Sequence, residues 1–315
     1  LSVSFASEAP EFQYYVVSFL IIFFLGIKDD ILVISPAKKF IGQIIAAVIL
    51  VYKARLLITN MEGFLGLYEL NEQMSFLLSV FAIVGIINAF NLIDGVDGLA
   101  GGLGLISSLI FGVYFLVNGN LPYAALAFCF TGSLMAFLYY NFHPAKIFMG
   151  DTGSLLIGLV NSILVIKFIS FGSSDIIYPV ASAPAVGFAI LLLPLMDTIR
   201  VFSIRIINGK SPFSPDRTHL HHLLLNRGFN HKAVTLICVG AAIVVSIAAF
   251  YCQNFGCTVL FGSLGVVFFA GIYLLGLKKT KYKLRVVKNE RFDLAEPEIK
   301  LVALYDKKAA VVEED

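Results

Sequence analysis

Charge is scarce in this sequence. Lys, Arg, Asp and Glu together make up 14% of the 315 residues, where a soluble domain carries about 25%. That shortage, with 58% hydrophobic residues and a mean hydropathy of +0.88, excludes a soluble globular chain. The net charge of +2 does not identify a partner, and nucleic acid is not expected; the placement of the charges carries the information. Cysteine is scarce too. Four residues without paired ligand spacing exclude a disulfide scaffold and a cysteine-based zinc site. Cys252 and Cys257 flank a short loop and would bridge only if it faced an oxidising compartment; free thiols are the expectation. No internal repeat is visible, nor an inverted pair of interrupted helices of the kind transporters use.

What is present is a series of apolar runs broken by short polar loops. They predict an all-α polytopic integral membrane protein with about nine transmembrane helices, near 14–26, 38–53, 76–92, 98–117, 122–140, 154–171, 178–203, 233–252 and 257–277. Residues 1–277 form the membrane domain in this reading, and 278–315 a cytoplasmic tail, basic at Lys278-Lys279 and acidic at its end. If the loop with Lys28, Lys38 and Lys39 is cytoplasmic, alternation also places Lys146, Arg205, Lys210, Arg217, Arg227, Lys232 and the tail inside. The other side keeps only Lys53 and Arg55, as the positive-inside rule requires. On that outer side, Gly63, Gly66 and the apolar residues around them predict a small hairpin.

The same alternation gathers the unusual polar segments on the cytoplasmic face. In the run Asn88–Ala100, Asn88, Asn91 and Asp94 recur every three residues and share one helix face, while Gly95 and Gly98 let backbone approach a ligand. An acid within a span costs roughly 2.5 to 3.5 kcal/mol on insertion scales, which marks it as a functional candidate. Asp29 and Asp30 stand where the first span ends; adjacent acids repel, so one keeps its proton or binds a cation. Asp151, between Gly150 and Gly153 at a helix start, reads either as an N-cap or as a ligand to a hard cation, with no nearby cation to pair it. Mg²⁺ is the expected ion, with Mn²⁺ able to substitute. His219, His221 and His222 are three of the five histidines. Beside Asp216 and Arg217 they suit contact with phosphate or another anion and acid–base work, against the plainer alternative of a solvated loop. Asp197 and Arg200, three apart in a span, read as a structural ion pair, His143 and Lys146 as interfacial residues able to touch phosphate, and Lys167 as snorkelling.

Taken together these segments resemble the polyprenyl-phosphate N-acetylhexosamine-1-phosphate transferases. The residues that carry the resemblance are Asp29-Asp30 with Ser35-Pro36 and Lys39, Asn88–Ala100, Phe148–Ser154, Asp197-Thr198 with Arg205, Ser211-Pro-Phe213, and Asp216–His222. The His-x-His-His form is closer to the branch that transfers GlcNAc-1-phosphate than to the peptidoglycan branch that transfers phospho-MurNAc-pentapeptide. The resemblance implies transfer of a HexNAc-1-phosphate from a UDP-sugar to undecaprenyl phosphate in the bacterial inner membrane, starting a cell-envelope polysaccharide. A homodimer is compatible with it. By resemblance, Asp29 is the candidate base or orienting group for the acceptor, supported by Asp30; Asp151 and Asn91 hold the metal, ordered by Asp94. Gly95, Val96, Asp97 and Phe148 surround uracil, and the histidines contact phosphates. Two departures stand out: Val33 stands where some members, though not all, have a third acid, and the chain begins too late to hold the family's two earlier spans with their Pro and Gly-Gly loop. The expectation is therefore a shortened, inactive form of an eleven-span protein. A transporter or flippase is the rival class, but it would place acids at midplane or on both sides.

Overall fold

The computed structural model describes residues 9–32, 34–172, 176–209, 211 and 218–277, and the backbone of three strands between 283 and 311. Val33, Lys210, Pro212, Phe213, Asp216, Arg217, Lys278, Lys279 and the acidic chain end lie outside the described residues. The apolar runs are helices: α1 (Phe12–Leu32), α2 (Pro36–Tyr52), α3 (Glu72–Ile93), α4 (Leu99–Val117), α5 (Leu121–Asn141) and α6 (Gly150–Gly172). They continue with α7 (Ala183–Ile190), α8 (Leu192–Ile207), the short α9 (Leu220–Leu225), α10 (His231–Cys252) and α11 (Cys257–Leu277).

The protein is a multi-pass, all-α membrane protein. Among the described residues, α3, α4, α5, α6, α10 and α11 are each long and apolar enough to cross a bilayer. α1 and α2 occupy the first two expected spans, α2 with 17 residues and so about 26 Å long. The expected span 178–203 is not one straight helix but the pair α7 and α8, bent by 82° at Leu191. Pro194 explains the break, because it has no N–H to offer the Ile190 carbonyl four residues earlier.

Helix starts follow the local sequence. Asn71 and Asn230 cap α3 and α10 by accepting from the Met74 and Ala233 N–H groups, each at 2.8 Å, and Pro36, Pro122 and Pro184 open α2, α5 and α7. α6 is the central helix, with 15 of its 23 residues buried. α11 is peripheral: only Cys257, Leu260, Leu264 and Phe268, one stripe, are buried, and the rest of its surface is left for lipid. Two glycines bring backbones together around α6. A Cβ on Gly26 of α1 would lie 2.4 Å from Thr152 Cα, and one on Gly158 would lie 2.5 Å from Ile87 Cα of α3. Buried polar pairs tie the spans: Ser107 to Asn161 at 2.5 Å and Asn88 Nδ2 to Gln43 Oε1 at 2.7 Å.

The expected outer hairpin is present as β1 (Asn60–Phe64) and β2 (Leu67–Glu69), turning at Leu65 and Gly66, both with positive φ. Phe64 seats it on Phe261 of α11. All four cysteines are free. The tail holds an antiparallel sheet of β3 (Lys283–Val287), β4 (Lys300–Tyr305) and β5 (Lys308–Val311).

Candidate functional site

The C-terminal ends of α1 and α3 and the N-terminal ends of α2 and α6 meet at one end of the bundle, and Lys39 is at their centre. Its Nζ lies 3.0 Å from Asp29 Oδ2, donates to Asn91 Oδ1 at 3.1 Å and is in direct contact with Asp151 Oδ2. Asn91 turns its amide nitrogen to Asp151 Oδ1 at 2.7 Å and to Ser154 Oγ at 2.9 Å. Asp29 also accepts from the Ile34 N–H at 2.8 Å. The expectation that no cation pairs Asp151 is therefore corrected: the partner is Lys39, 112 residues away in sequence.

Asp30 reaches across to α6 rather than toward Asp29. Its carboxylate accepts from the Asp151 N–H at 2.7 Å, the Thr152 N–H at 3.1 Å and the Thr152 hydroxyl at 2.6 Å. It is thus the N-cap that α6 lacks in its own sequence, and it sets the position of Asp151. Gly150, at φ +64, leaves room for it, since a Cβ there would sit 2.9 Å from the Asp30 oxygens. Asp94 follows the end of α3, where burial, helped by the Asp151 charge, raises its carboxyl to about 7. Asn88, by contrast, is engaged with Gln43.

The histidine segment docks on this cluster through Gly95. A Cβ on Gly95 would lie 2.3 Å from His221 Nε2, so only glycine admits the ring. The segment is held by Asp197, which is 1% exposed. Asp197 accepts from Arg200 at 2.8 Å, from His219 Nδ1 at 2.8 Å and from the Leu220 N–H at 2.9 Å. The Asp197–Arg200 pair matches the sequence reading; its hold on the histidine loop was hidden, because the loop lies more than 20 residues on. A carboxylate only accepts, so His219 carries its proton on Nδ1 and presents Nε2. His219 and His221 stack with ring centres 5.6 Å apart, and His222 tilts against His221 at 4.3 Å. Burial, then the neighbouring His222 and His219, push His221 down to about 4, so it is neutral at physiological pH and not the cation the sequence allowed.

Asp97 lies on the same loop but is already engaged. Its Oδ2 is 2.7 Å from His143 Nδ1 and 3.4 Å from His231 Nδ1. Burial works to raise this carboxyl, but the His143 bond and the adjacent His231 outweigh it and hold it below the usual range. His231 had no signal in the sequence beyond its residue type. Val96 is buried and offers only backbone, whereas Phe148 is 80% exposed and presents its ring to solvent. A cavity of about 230 Å³ opens beside Asp29 and Lys39, walled by Pro36, Phe40, Leu92 and Phe202.

This arrangement puts oxygen donors, one ammonium and imidazoles beside a partly apolar cavity, a combination suited to handling phosphate at a membrane surface. Comparison with known proteins agrees. Residues 12–169 match the family model described as glycosyl transferase family 4. The chain is 35% identical over 229 residues to a decaprenyl-phosphate N-acetylglucosaminephosphotransferase of Mycobacterium leprae, covering 68% of this chain and 57% of the relative. It is 34% identical over 275 residues to a probable undecaprenyl-phosphate N-acetylglucosaminyl 1-phosphate transferase of Bacillus subtilis, covering 84% and 73%. A third relative, the undecaprenyl-phosphate alpha-N-acetylglucosaminyl 1-phosphate transferase of Salmonella typhi, is 30% identical over 244 residues, covering 76% and 65%. The matched part of the chain thus spans little more than half the length of the mycobacterial protein.

Proposed function

The chain belongs to glycosyl transferase family 4, and from that premise we propose that it transfers GlcNAc-1-phosphate from UDP-GlcNAc to undecaprenyl phosphate at the cytoplasmic face of a bacterial inner membrane. The observation that carries this reading is the Lys39-centred cluster of Asp29, Asn91 and Asp151 opening onto an apolar groove. An acceptor oxygen of the lipid phosphate attacks the β-phosphorus of the UDP-sugar. The bond from that phosphorus to the bridging oxygen breaks, UMP leaves with that oxygen, and a lipid diphosphate-sugar remains.

The side chains have separable roles in this scheme. The groove walled by Phe40, Leu92 and Phe202 takes the first isoprene units and leaves the acceptor phosphate beside Lys39. A monophosphate ester has its second pKa near 6, so the acceptor is largely dianionic at neutral pH and needs orientation more than deprotonation. Asp29, fixed by Lys39 and the Ile34 N–H, supplies that orientation. His219 presents Nε2 for hydrogen bonding to the diphosphate, with His222 nearby, and His221, buried against Gly95, backs both rings. The exposed Phe148 ring, the Gly95-Val96 backbone and Asp97 form the edge for uracil.

Asp151 and Asn91, with Asp94 behind them, are hard oxygen donors of the kind that hold Mg²⁺, and the Lys39 ammonium in their midst marks the place as one suited to a cation. When bound, Mg²⁺ or Mn²⁺ supplies neutralisation of the diphosphate charge.

The test is an assay of membranes carrying the chain, offered undecaprenyl phosphate with UDP-GlcNAc, UDP-GalNAc or UDP-MurNAc-pentapeptide. Against the expectation of an inactive shortened form, lipid product and UMP are expected from UDP-GlcNAc, with a loss of about 10² to 10³-fold in Lys39→Ala, since Lys39 balances charge at the reacting phosphates. Preference for the MurNAc nucleotide, or full turnover in Lys39→Ala, would overturn the reading.

A further inference from the structure

Outside the Lys39 cluster, one group of side chains converges with metal-ligand chemistry. Asp97 from the α3–α4 loop, His143 from the segment after α5, and His231 from the first turn of α10 bring one ligand atom each within 4.8 Å of one another. The three elements are separately tied together by backbone-directed bonds. Thr235 Oγ1 donates to the Asp97 carbonyl at 2.7 Å, the Gly98 N–H donates to Asn141 Oδ1 at 2.9 Å, and Asn141 Nδ2 donates to the Ile147 carbonyl at 2.8 Å. The three ligand-bearing positions are therefore held in place by contacts that do not involve the ligand atoms.

One atom is unexplained. His231 Nδ1 is buried and lies 3.4 Å from Asp97 Oδ2, within ion-pair reach, yet makes no hydrogen bond. The facing ring of His143 is 5.2 Å away, centre to centre, and its Nδ1 is 2.7 Å from the same oxygen. In a tetrahedral zinc site with metal–ligand bonds near 2.0 to 2.1 Å, neighbouring ligand atoms stand roughly 3.3 Å apart. The Asp97–His231 separation already has that value; the His143 nitrogen would have to move out by about 0.6 Å. Both histidines are 39% exposed and Asp97 15%, so the cluster is reachable from water on one side.

We propose that Asp97, His143 and His231 form a site for a borderline divalent cation of the zinc type, with the fourth position open to water. Two imidazoles and one carboxylate favour such ions, whereas Mg²⁺ prefers oxygen donors. The site is thereby chemically separate from the oxygen cluster at Asp151. A bound ion would pin the 142–149 segment, which carries Phe148, to the loop holding Asp94 and Gly95. The inference rests on the donor geometry at Asp97 Oδ2, the oxygen that both histidines face; the uracil edge assigned to Asp97 above then falls to its other carboxylate oxygen.

The test is zinc binding to the purified full chain in detergent, by equilibrium dialysis with elemental analysis and by titration calorimetry. One zinc per chain is expected, retained in millimolar Mg²⁺. His143→Gln and His231→Gln, which keep size and polarity, should each weaken binding at least tenfold, while His222→Gln leaves it unchanged. Gel filtration of each variant checks that it is folded, and zinc should raise the thermal midpoint of wild type but of neither weakened variant. Absence of stoichiometric zinc, wild-type affinity in either the His143 or the His231 variant, or loss in His222→Gln would overturn the proposal.

Discussion

His221 is 3% exposed, and its Nε2 is pressed against Gly95. That burial has a consequence for stability that can be signed. The folded-state value of about 4 lies below the ordinary 6.5. Above pH 7 neither the folded nor the unfolded imidazole is charged, and the group contributes no pH dependence. As pH falls through 6.5 the unfolded chain takes up a proton that the folded one refuses, so stability declines until about pH 4. Between pH 7.5 and 5 the loss is on the order of 2 kcal/mol. Thermal unfolding in detergent should therefore show a larger drop over that interval for wild type than for His221→Gln. Equal drops would contradict the burial argument. Other residue-scale features divide by how far their partners lie. Asp29, Asn91, Asp94 and Asp151 were legible as site candidates because polar groups at span ends are costly unless used. The pairing of Lys39 with Asp151, Asp197 with the histidine loop and Asp97 with His143 was not. Each joins elements that only folding brings together, 22 to 112 residues apart.

Among the elements, α6 matters most, because it carries Asp151 at its first turn and is buried along most of its length. Its position is set at two points, the Asp30 cap and the Gly26 contact with Thr152. Gly26→Ala would put a methyl group 2.4 Å from the Thr152 Cα, a backbone atom that cannot swing aside. The first turn of α6 must then shift, and a displacement of about 1 Å at a reacting centre costs on the order of 10²-fold in rate. Gly85→Ala is the matched control, with nothing within 4 Å of the added carbon. Transfer activity in membranes should collapse in the first variant and persist in the second; equal activity would detach α6 placement from function. Apolar runs identified these helices well, since the bilayer demands long continuous ones. The same rule concealed the bend at Leu191, because hydropathy does not register the missing donor of Pro194. In the tail, a composition of mixed charge hid the short strands, whose signal is alternation over only four to six residues.

At the scale of the whole molecule, the helices place four separated segments at one end of a bundle, next to the cavity walled by Pro36, Phe40, Leu92 and Phe202. The central claim is that a phosphoryl group, and not the sugar alone, crosses from nucleotide to lipid there. Isotope position tests it most directly. Membranes carrying the chain receive undecaprenyl phosphate and UDP-GlcNAc labelled with ³²P at either the α- or the β-phosphorus. The account predicts that β-label enters the lipid fraction while α-label is released as UMP, and that Asp151→Ala abolishes both. Retention of β-label in released UDP, or transfer that survives in Asp151→Ala, would contradict it.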